Sequence, residues 1–296
     1  LFEDPAYPPD PDPGAPSVMG PWNAGRPENH GVLRELRAVV RAFPGDPVLL
    51  GESSTDRLEE LVAAYGTQDD EIQLPMNFMF ARFWQRDAAG FKRLVDSAQA
   101  ALSGKTPVWF LSNHDHPRQR SAFGDGVHDE AIARLTATLV LAQRGTALVY
   151  YGEEIGMADL PAEELAAAPL GPARPCVDAR DRTRTPMQWD ESPQAGFSTT
   201  TPWLPLPRQR AGCSVQAQRD DPASLLAWYR ALIHLKRNDP VLREGAHVPL
   251  DSGHPEVLAF GRRLPDGRGV VVALNFGARA ATLALAGWPG GAMRLG

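Results

Sequence analysis

The stretch Thr106-Pro-Val-Trp-Phe-Leu-Ser-Asn-His-Asp-His-Pro-Arg118 joins a short apolar run to a cluster of polar residues. Residues 108–111 are continuously apolar, which is typical of a short strand buried on both faces. The run ends in Asn113, His114 and Asp115, and Pro117 then ends the strand because proline cannot donate to a sheet ladder. The stretch therefore predicts a strand over 106–112 that carries an imidazole and a carboxylate at its carboxyl end.

The same pattern of a short apolar strand followed by acidic residues recurs on both sides. Residues 47–52 end on Glu52, and residues 147–154 end on Glu153 and Glu154. A further strand is predicted over 71–80. Apolar residues three or four positions apart predict helices over 28–43, 56–65, 88–102 and 129–144. Strands that alternate with helices in units of roughly 30–40 residues predict parallel βαβ units.

Four such units correspond to half of a barrel, so the predicted fold class is α/β, the C-terminal half of a (β/α)8 TIM barrel. The carboxyl ends of the strands of such a barrel meet on one face, so Glu52 and Asp115 are expected to share a pocket. Residues 157–220 show no sustained periodicity and are rich in Pro, Arg, Thr and Trp, which predicts a long active-site loop. A helix is predicted over 222–236.

The period changes to two after this helix. Residues 257–264 and 270–276 flank the turn Asp266-Gly267, a hairpin pattern, and a further strand is predicted over 281–286. The predicted domains are therefore a partial catalytic barrel over 1–238 and a small all-β C-terminal domain over 239–296, which we expect to be incomplete.

Composition excludes several classes of function. A net charge of −6 and a pI near 5.7 argue against a nucleic acid or an anionic membrane as a partner. Cys176 and Cys213 form no CxxC motif, so no disulfide framework or zinc signature is predicted. Residues 1–27 are crowded with proline and aspartate and show no signal-peptide pattern. We expect the chain to be a fragment that begins part-way through a fold.

Two carboxylates at convergent strand ends, with a histidine and arginines nearby, suit cleavage of a glycosidic bond. Glu52 is the candidate general acid, because desolvation and a neighbouring carboxylate at a strand end would favour its protonated form. The alternative is that Glu52 only caps the following helix.

Other polar and aromatic residues have competing interpretations. His114, Asp115 and His116 could ligate a metal, but in an extended strand the histidines share one face and the aspartate faces the other. Glu153 and Glu154 are expected to be structural and to pair with the arginine-rich loop. Tryptophans 189 and 203 could stack on sugar rings or pack within the loop.

Four segments together carry a resemblance to a known family. They are Val48-Leu-Leu-Gly-Glu52, Phe110-Leu-Ser-Asn-His-Asp115 with Pro117-Arg118, Tyr150-Tyr-Gly-Glu-Glu-Ile-Gly156 and Arg180-Asp-Arg-Thr-Arg-Thr-Pro-Met-Gln-Trp-Asp190. In this order and spacing the chain resembles the α-amylase family of retaining glycosidases, in its α-glucosidase and oligo-1,6-glucosidase branch. The resemblance runs from about residue 20 to residue 275, and it numbers the four predicted strands five to eight.

The resemblance implies a role for each matching residue. Glu52 matches the general acid/base, and Asp115 matches the carboxylate that holds two sugar hydroxyls. His114 matches a hydroxyl donor beside the charged transition state, and Arg180 matches an arginine that lines the glucose-binding subsite. His116 stands where the branch commonly has glutamine, which changes the contacts on the leaving-group side.

The resemblance also implies parts that this sequence does not contain. The nucleophilic aspartate, at the end of the family's fourth strand, is expected to precede Leu1, so the chain alone is expected to be inactive. A calcium-type loop, where the family has one, also belongs to that half, so no cofactor is predicted here. The expected partners are an α-glucoside and the missing half as a separate chain. The expected location is the cytoplasm. Trehalose synthase-like or sucrose isomerase-like transfer, or a non-catalytic scaffold of the same fold, are the alternatives.

Overall fold

The computed structural model describes residues 27–53, 55–168, 178–207, 211–285, 287–288 and 291–295. The predictions for the first 26 residues and for Cys176 lie outside these ranges. The first part of the described chain comprises α1 (Pro27–Arg41), β1 (Leu50–Gly51), α2 (Leu58–Ala63), β2 (Leu74–Pro75), α3 (Phe78–Ala81), α4 (Ala88–Ala101), β3 (Val108–Trp109), α5 (Gln119–Phe123), α6 (Asp129–Leu141) and β4 (Thr146–Ala147). The second part comprises a 3₁₀ helix (Glu153–Ile155), α7 (Ala162–Ala167), a second 3₁₀ helix (Ala179–Thr183), α8 (Val215–Gln218), α9 (Leu225–Asn238), α10 (Pro240–Glu244), β5 (Ala246–Pro249), β6 (Val257–Arg263) and β7 (Gly269–Asn275).

The first four strands are parallel neighbours in the order of the chain. β1 pairs with β2, β3 pairs with β4, and a parallel bridge between Met76 and Val108 joins the two pairs. The four carboxyl ends therefore lie along one edge, as predicted. The regular strands are much shorter than the predicted apolar runs, and β1 is not buried on both faces. Leu50 is 46% exposed, and in the described part of the chain β1 pairs on one side only.

Helices cover these strands through one main apolar cluster. Phe91 of α4, Trp109 of β3 and Leu139 of α6 belong to it, and so do Leu258 and Phe260 of the C-terminal sheet. Burial of such large side chains is the main favourable term in folding, about 1.5–3 kcal/mol for each. The C-terminal sheet therefore packs against the same core as the α/β part, and the domain boundary at residue 238 stays a prediction.

One turn requires glycine at the start of β4. Gly145 has a φ of +107°, and a Cβ atom at this position would lie 2.2 Å from the Pro107 carbonyl oxygen. Because the backbone at Gly145 lies so close to Pro107, the next residue can donate from Thr146 N to Pro107 O at 2.8 Å. Gly145 therefore helps to set the register of β4 against β3.

The C-terminal residues form a three-stranded antiparallel sheet of order β5-β6-β7. β6 and β7 are the predicted hairpin, with Val257 opposite Asn275 and Arg263 opposite Gly269. β5 was not predicted, because its four residues are too few to show a period of two. The predicted strand over 281–286 is wrong for residues 281–285, which form no strand, and residue 286 lies outside the described residues.

Two further predictions of secondary structure were wrong. The strand predicted over 71–80 is regular only at Leu74–Pro75, because Asn77 caps α3 by accepting a hydrogen bond from Phe80 N. The strand predicted over 147–154 stops at Ala147, and a left-handed Gly152 turns the chain into a 3₁₀ helix at Glu153. Among the described residues, no helix has both the length and the apolar character needed to cross a membrane.

Candidate active site

The polar residues after β3 form a tight turn rather than a continued strand. Asn113 and His116 are bridged, and His114 and Asp115 occupy the tip of the turn. The Asn113 Oδ1 atom accepts from Asp115 N at 2.8 Å and from His116 N at 2.9 Å. The face alternation assumed for residues 114–116 is therefore wrong, because the backbone amides bond to Asn113 instead of to a neighbouring strand.

Asp115 is held by two arginines of the long loop. Its Oδ1 atom lies 2.7 Å from Arg184 Nη2, 3.3 Å from Arg180 Nη1 and 3.6 Å from His114 Nε2. The side chain of Asp115 is about one quarter exposed. All three of these contacts are made by Oδ1, so among the described residues the second carboxylate oxygen, Oδ2, is left open to a ligand. The structure therefore brings Asp115, His114 and Arg180 together, and Arg180 is the residue whose place the family resemblance implied.

Arg184 joins the loop to the turn. Its Nε atom donates to the His114 carbonyl oxygen at 3.0 Å while its Nη2 atom pairs with Asp115. The Thr183 hydroxyl donates to the same carbonyl oxygen at 2.9 Å. The guanidinium thus uses separate nitrogens to fix both the backbone and the carboxylate of the turn, which a lysine could not do.

Arg180 is the more exposed of the two arginines and has a second carboxylate partner. Its Nη2 atom lies 2.7 Å from Asp178 Oδ2. Hydrogen bonds from Arg180 lower the pKa of Asp178 to about 2, so this pair is ionised throughout the physiological range. Asp178 also caps the second 3₁₀ helix by accepting from Arg180 N, which fixes where the arginine leaves the backbone.

Glu52 lies directly after β1, at the same edge of the parallel strands as the turn. It is exposed, so the desolvation that was expected to favour its protonated form is not supplied by the described residues. The alternative role as a helix cap is not seen, because α2 begins at Leu58 and its N-cap is Arg57.

His116 lies close enough to both Asp115 and Glu52 for their charges to act on its pKa. Its Nδ1 atom lies 2.9 Å from Asn113 Oδ1, and its Nε2 atom lies 3.3 Å from Arg82 Nε. The pKa of His116 is lowered by burial and by the Arg82 charge. The negative charges of Asp115 and Glu52 act in the raising direction and offset only part of this shift. The ring is therefore neutral at pH 7, with the proton on Nδ1.

Glu153 does not pair with the arginine-rich loop, which corrects the sequence prediction. It is buried and forms a hydrogen bond with the Ser112 hydroxyl. Burial raises the pKa of Glu153 to about 8, against hydrogen bonds from Ser112 and Gln119 and the charge of Arg118. Its predicted structural role fits this position, since Ser112 immediately precedes the turn that carries His114 and Asp115.

Glu154 also forms no ion pair with the arginine-rich loop among the described residues. Its Oε2 atom accepts from Gly152 N at 2.8 Å, and burial raises its pKa. The two tryptophans whose role was left open, Trp189 and Trp203, are both about half exposed. Packing within the loop therefore leaves about half of each tryptophan accessible.

Sequence reasoning missed three residues of the site. Arg184, Asn113 and Arg82 make contacts that fix Asp115, the turn and His116, respectively. For Arg184 a signal was present, because it lies four residues after Arg180 in the same quoted segment. The roles of Asn113 and Arg82 depend on tertiary contacts that no local pattern reports. Among the described residues, no group of three or more His, Cys, Asp or Glu side chains could hold a metal ion.

Comparison with known proteins gives a consistent set of relatives. The family described as alpha amylase, catalytic domain, matches residues 8–245. A probable alpha-glucosidase of Rhizobium meliloti is 35% identical over 231 residues, which is 76% of this chain and 41% of the relative. An alpha-glucosidase of Apis mellifera is 32% identical over 260 residues, which is 84% of this chain and 44% of the relative. The chain thus spans about half the length of the curated relatives it matches.

Solved structures show the same fold. The trehalulose synthase of Pseudomonas mesoacidophila MX-45 superposes with a TM-score of 0.73 at 29% identity, over 86% of this chain and 51% of that one. The isomaltulose synthase of Erwinia rhapontici NX5 superposes with a TM-score of 0.71 at 27% identity, over 84% and 50% of the two chains. These relatives share the TIM-barrel glycosidase architecture that the parallel strand order predicted. The family match covers most of the sequence, and the chain therefore belongs to the α-amylase family.

Proposed function

We propose that this chain is the part of a retaining α-glucosidase that carries the general acid/base and the sugar-holding carboxylate. The observation that carries the proposal is the arrangement around Asp115. This aspartate is held by two arginines and a histidine, at the same strand edge as the exposed Glu52. The substrate class is α-linked glucosides cleaved at the non-reducing end, which agrees with the names of the curated relatives.

Asp115 would bind the glucose ring through its free oxygen. A carboxylate with a free lone pair accepts hydrogen bonds from hydroxyls, and Arg184 and Arg180 hold the Asp115 side chain in one orientation while it does so. His114, about half exposed beside Asp115, would donate to a hydroxyl of the same ring. These contacts strengthen as positive charge develops at the anomeric carbon, so they favour the transition state over the bound substrate.

Glu52 would move the proton. In the first step its carboxyl group donates a proton to the glycosidic oxygen as the bond to the anomeric carbon breaks and a nucleophilic aspartate forms a glycosyl ester. In the second step Glu52, now a carboxylate, accepts a proton from water as the water oxygen attacks the anomeric carbon. We expect the nucleophile roughly 5–5.5 Å from Glu52, the separation of the two carboxyl groups in retaining enzymes.

The test is turnover of 4-nitrophenyl α-glucoside by the chain alone and by the chain combined with a polypeptide that supplies the preceding half of the family's barrel. We expect no turnover by the chain alone and turnover by the combination. Glu52→Gln in the combination should lower kcat by about 10²–10⁴. Glu59→Gln, an exposed glutamate on α2, is the matched control and should keep wild-type kcat. A Glu52→Gln combination with wild-type kcat would refute the acid/base role.

A second candidate is transfer of the cleaved glucose to a new position instead of to water. It is favoured by the likeness to trehalulose synthase and isomaltulose synthase. Product analysis of the active combination with sucrose and with maltose decides between the two. A new disaccharide that retains the cleaved glucose would indicate an isomerase, and free glucose would indicate a hydrolase. The non-catalytic scaffold and the cytoplasmic location stay predictions, and a catalytically active combination would rule out the former.

A further inference from the structure

One side chain, that of Arg82, joins the segments that follow three neighbouring strands. Its Nη1 atom lies 2.5 Å from Asp56 Oδ1, and its Nε atom lies 3.3 Å from His116 Nε2. Asp56 lies in the loop after β1, Arg82 follows β2 and α3, and His116 belongs to the turn after β3. We call these contacts the Arg82 bridge. It runs along the edge of the parallel strands at which Glu52 and Asp115 lie.

The guanidinium of Arg82 is also held by an aromatic ring. Its Cζ atom lies 4.9 Å from the centre of the Phe78 ring, and the centre of that ring lies 5.5 Å from the centre of the His116 ring. Because a guanidinium is planar and its donors point in different directions, Nε and Nη1 can bond two separate groups at once. The contact with Phe78 favours the orientation of the plane that serves both. The Arg82 bridge is therefore more than a single ion pair.

At its turn end, the bridge leads to Asp115 through Asn113. His116 Nδ1 lies 2.9 Å from Asn113 Oδ1, and the same Oδ1 atom accepts from Asp115 N at 2.8 Å. Both ring nitrogens of His116 are thus bonded to protein groups, with Nε2 as the acceptor from Arg82. The ring therefore links Arg82 to the turn and has no nitrogen left over for proton transfer to a substrate.

At its loop end, the bridge leads to Glu52, which lies four residues before Asp56. Thr55, the neighbour of Asp56, is buried, and its hydroxyl donates to the Glu60 carboxylate of α2. The loop is therefore attached to α2 at Thr55 and to the neighbouring strand end at Arg82. A change at either attachment would move the segment that carries Glu52.

The bridge is expected to matter for placement more than for stability. The Asp56 side chain is 73% exposed, and ion pairs at exposed positions contribute little to the free energy of unfolding. Placement has a much larger effect on catalysis, because a shift of about 1 Å in a reacting group can lower the rate about a hundredfold. The consequence of the Arg82 bridge should therefore be sought in the geometry and kinetics of the site.

We propose that Arg82 is a positioning residue, which sets the separation of Glu52 from Asp115 by tying the loop after β1 to the turn after β3. In this role Arg82 contacts neither the transferred proton nor the sugar, and it acts through Asp56 on one side and His116 on the other. The proposal rests on the proposed function, in which the two carboxyl groups act on one sugar ring.

The first test follows the bridge by NMR in the chain itself, with isotope-labelled histidine and backbone amides. Arg82→Met keeps an apolar stem over Phe78 and removes the donors to Asp56 and His116. We expect the His116 pKa to rise, because the Arg82 charge no longer lowers it, and the ring proton to move in part from Nδ1 to Nε2. Asp56→Asn should shift the His116 ring signals and the amide signal of Asp115, although Asp56 follows a different strand.

Arg86→Met is the matched control for this test. Arg86 lies four residues after Arg82 and pairs with Asp125 at 3.1 Å, outside the bridge. Its replacement should leave the His116 pKa, the ring protonation and the turn amides at their wild-type values. Ring and turn signals that stay unchanged in both Arg82→Met and the Asp56 variant would overturn the proposal.

The second test measures turnover of 4-nitrophenyl α-glucoside by the chain combined with the preceding half of the family's barrel. Arg82→Met should lower kcat by about 10–100-fold with a smaller change in KM, because proton transfer depends on the placement of Glu52 more than binding does. Asp56→Asn should also lower kcat, and the double variant should be no slower than Arg82→Met. Arg82→Lys should recover only part of the loss, since an ammonium group has no rigid plane of donors. Arg86→Met should keep wild-type kcat.

The outcomes separate this proposal from the proposed function. Wild-type kcat in Arg82→Met, in a combination that Glu52→Gln inactivates, would overturn the positioning role and leave the proposed function intact. Losses that add fully in the double variant would mean that Arg82 and Asp56 act independently, which would also overturn it. Wild-type kcat in Glu52→Gln would contradict the proposed function, and the ring and turn signals would then decide whether the bridge ties the loop to the turn.

Discussion

Two neighbouring strands carry acidic residues a few positions beyond their carboxyl ends, yet the two carboxyl groups differ in burial and in their charged partners. Asp115, after β3, is partly exposed and paired with two arginines. Glu153, after β4, is buried, and burial raises its pKa to about 8. The charge of Arg118 opposes this rise in the Glu153 pKa. Arg118 is itself buried, with its guanidinium over the rings of Tyr150 and Tyr151.

The comparison shows that position at a strand end does not decide what a carboxyl group does. The strand order places both groups at the same edge, but the long loop supplies cations only to Asp115. In the proposed function, Asp115 is therefore the carboxyl group available to bind a sugar. Glu153 is a neutral hydrogen-bonding group at pH 7 that holds Ser112 under the turn. Four predictions sharpen this contrast.

The largest expected effect is on the pH dependence of stability. The folded pKa of Glu153 is above its unfolded value of about 4.3, so the folded state binds a proton more strongly than the unfolded state. This contribution to stability is fully present below pH 4 and is lost as the pH rises to about 8. The slope from this group approaches about 1.4 kcal/mol per pH unit between those limits.

Glu153→Gln removes that titration. Urea unfolding at pH 5, 6, 7 and 8 should show that the wild type loses stability relative to the variant as the pH rises. Glu59→Gln controls for the loss of one negative charge from an exposed position. Parallel stability curves for wild type and Glu153→Gln would mean that Glu153 is not a buried neutral acid.

The next effect concerns the turn that presents Asp115. Asn113→Ala leaves the amides of Asp115 and His116 without their acceptor, so unfolding free energy should fall by about 1–3 kcal/mol. Asn238→Ala, an exposed asparagine at the end of α9, is the control and should cost less. A cost for Asn113→Ala no larger than that of the control would contradict the account of the turn.

A smaller effect separates the two arginines. Arg184→Ala should cost about 1–2 kcal/mol, because it leaves both the His114 carbonyl and Asp115 with fewer donors. Arg184→Lys should recover little, since a lysine cannot bond both groups at once. Arg180→Ala should change stability less than Arg184→Ala and weaken glucose binding more. The reverse order in urea unfolding and NMR titration would exchange the roles of the two arginines.

The sequence was sufficient to predict the parallel strand order and a shared edge for Glu52, His114 and Asp115, whereas the place of Arg180 followed only from the family resemblance. Short apolar runs that end in polar residues report strand ends directly, and the parallel order then brings those ends together. It was also sufficient for the β6–β7 hairpin, where a period of two flanks Asp266-Gly267.

The remaining features depend on contacts that no local pattern encodes. Residues 78–81 are apolar enough to be taken for a strand, but the Asn77 cap makes them helical. The exposure of Glu52 and the burial of Glu153 look the same in sequence, because both follow an apolar run and a glycine. Only the tertiary packing around each one separates them, and the same is true of Arg82 and its contact with His116.

The smallest expected change is also the most direct test of the central claim that Glu52 and Asp115 face one site. His116 lies close enough to both for each negative charge to raise its pKa. An NMR titration of His116 should therefore give a lower pKa in Glu52→Gln and in Asp115→Asn than in the wild type, and the lowest in the double variant. Glu59→Gln should leave the value unchanged. A His116 pKa that falls in Asp115→Asn but stays at the wild-type value in Glu52→Gln would place Glu52 away from Asp115 and contradict the account.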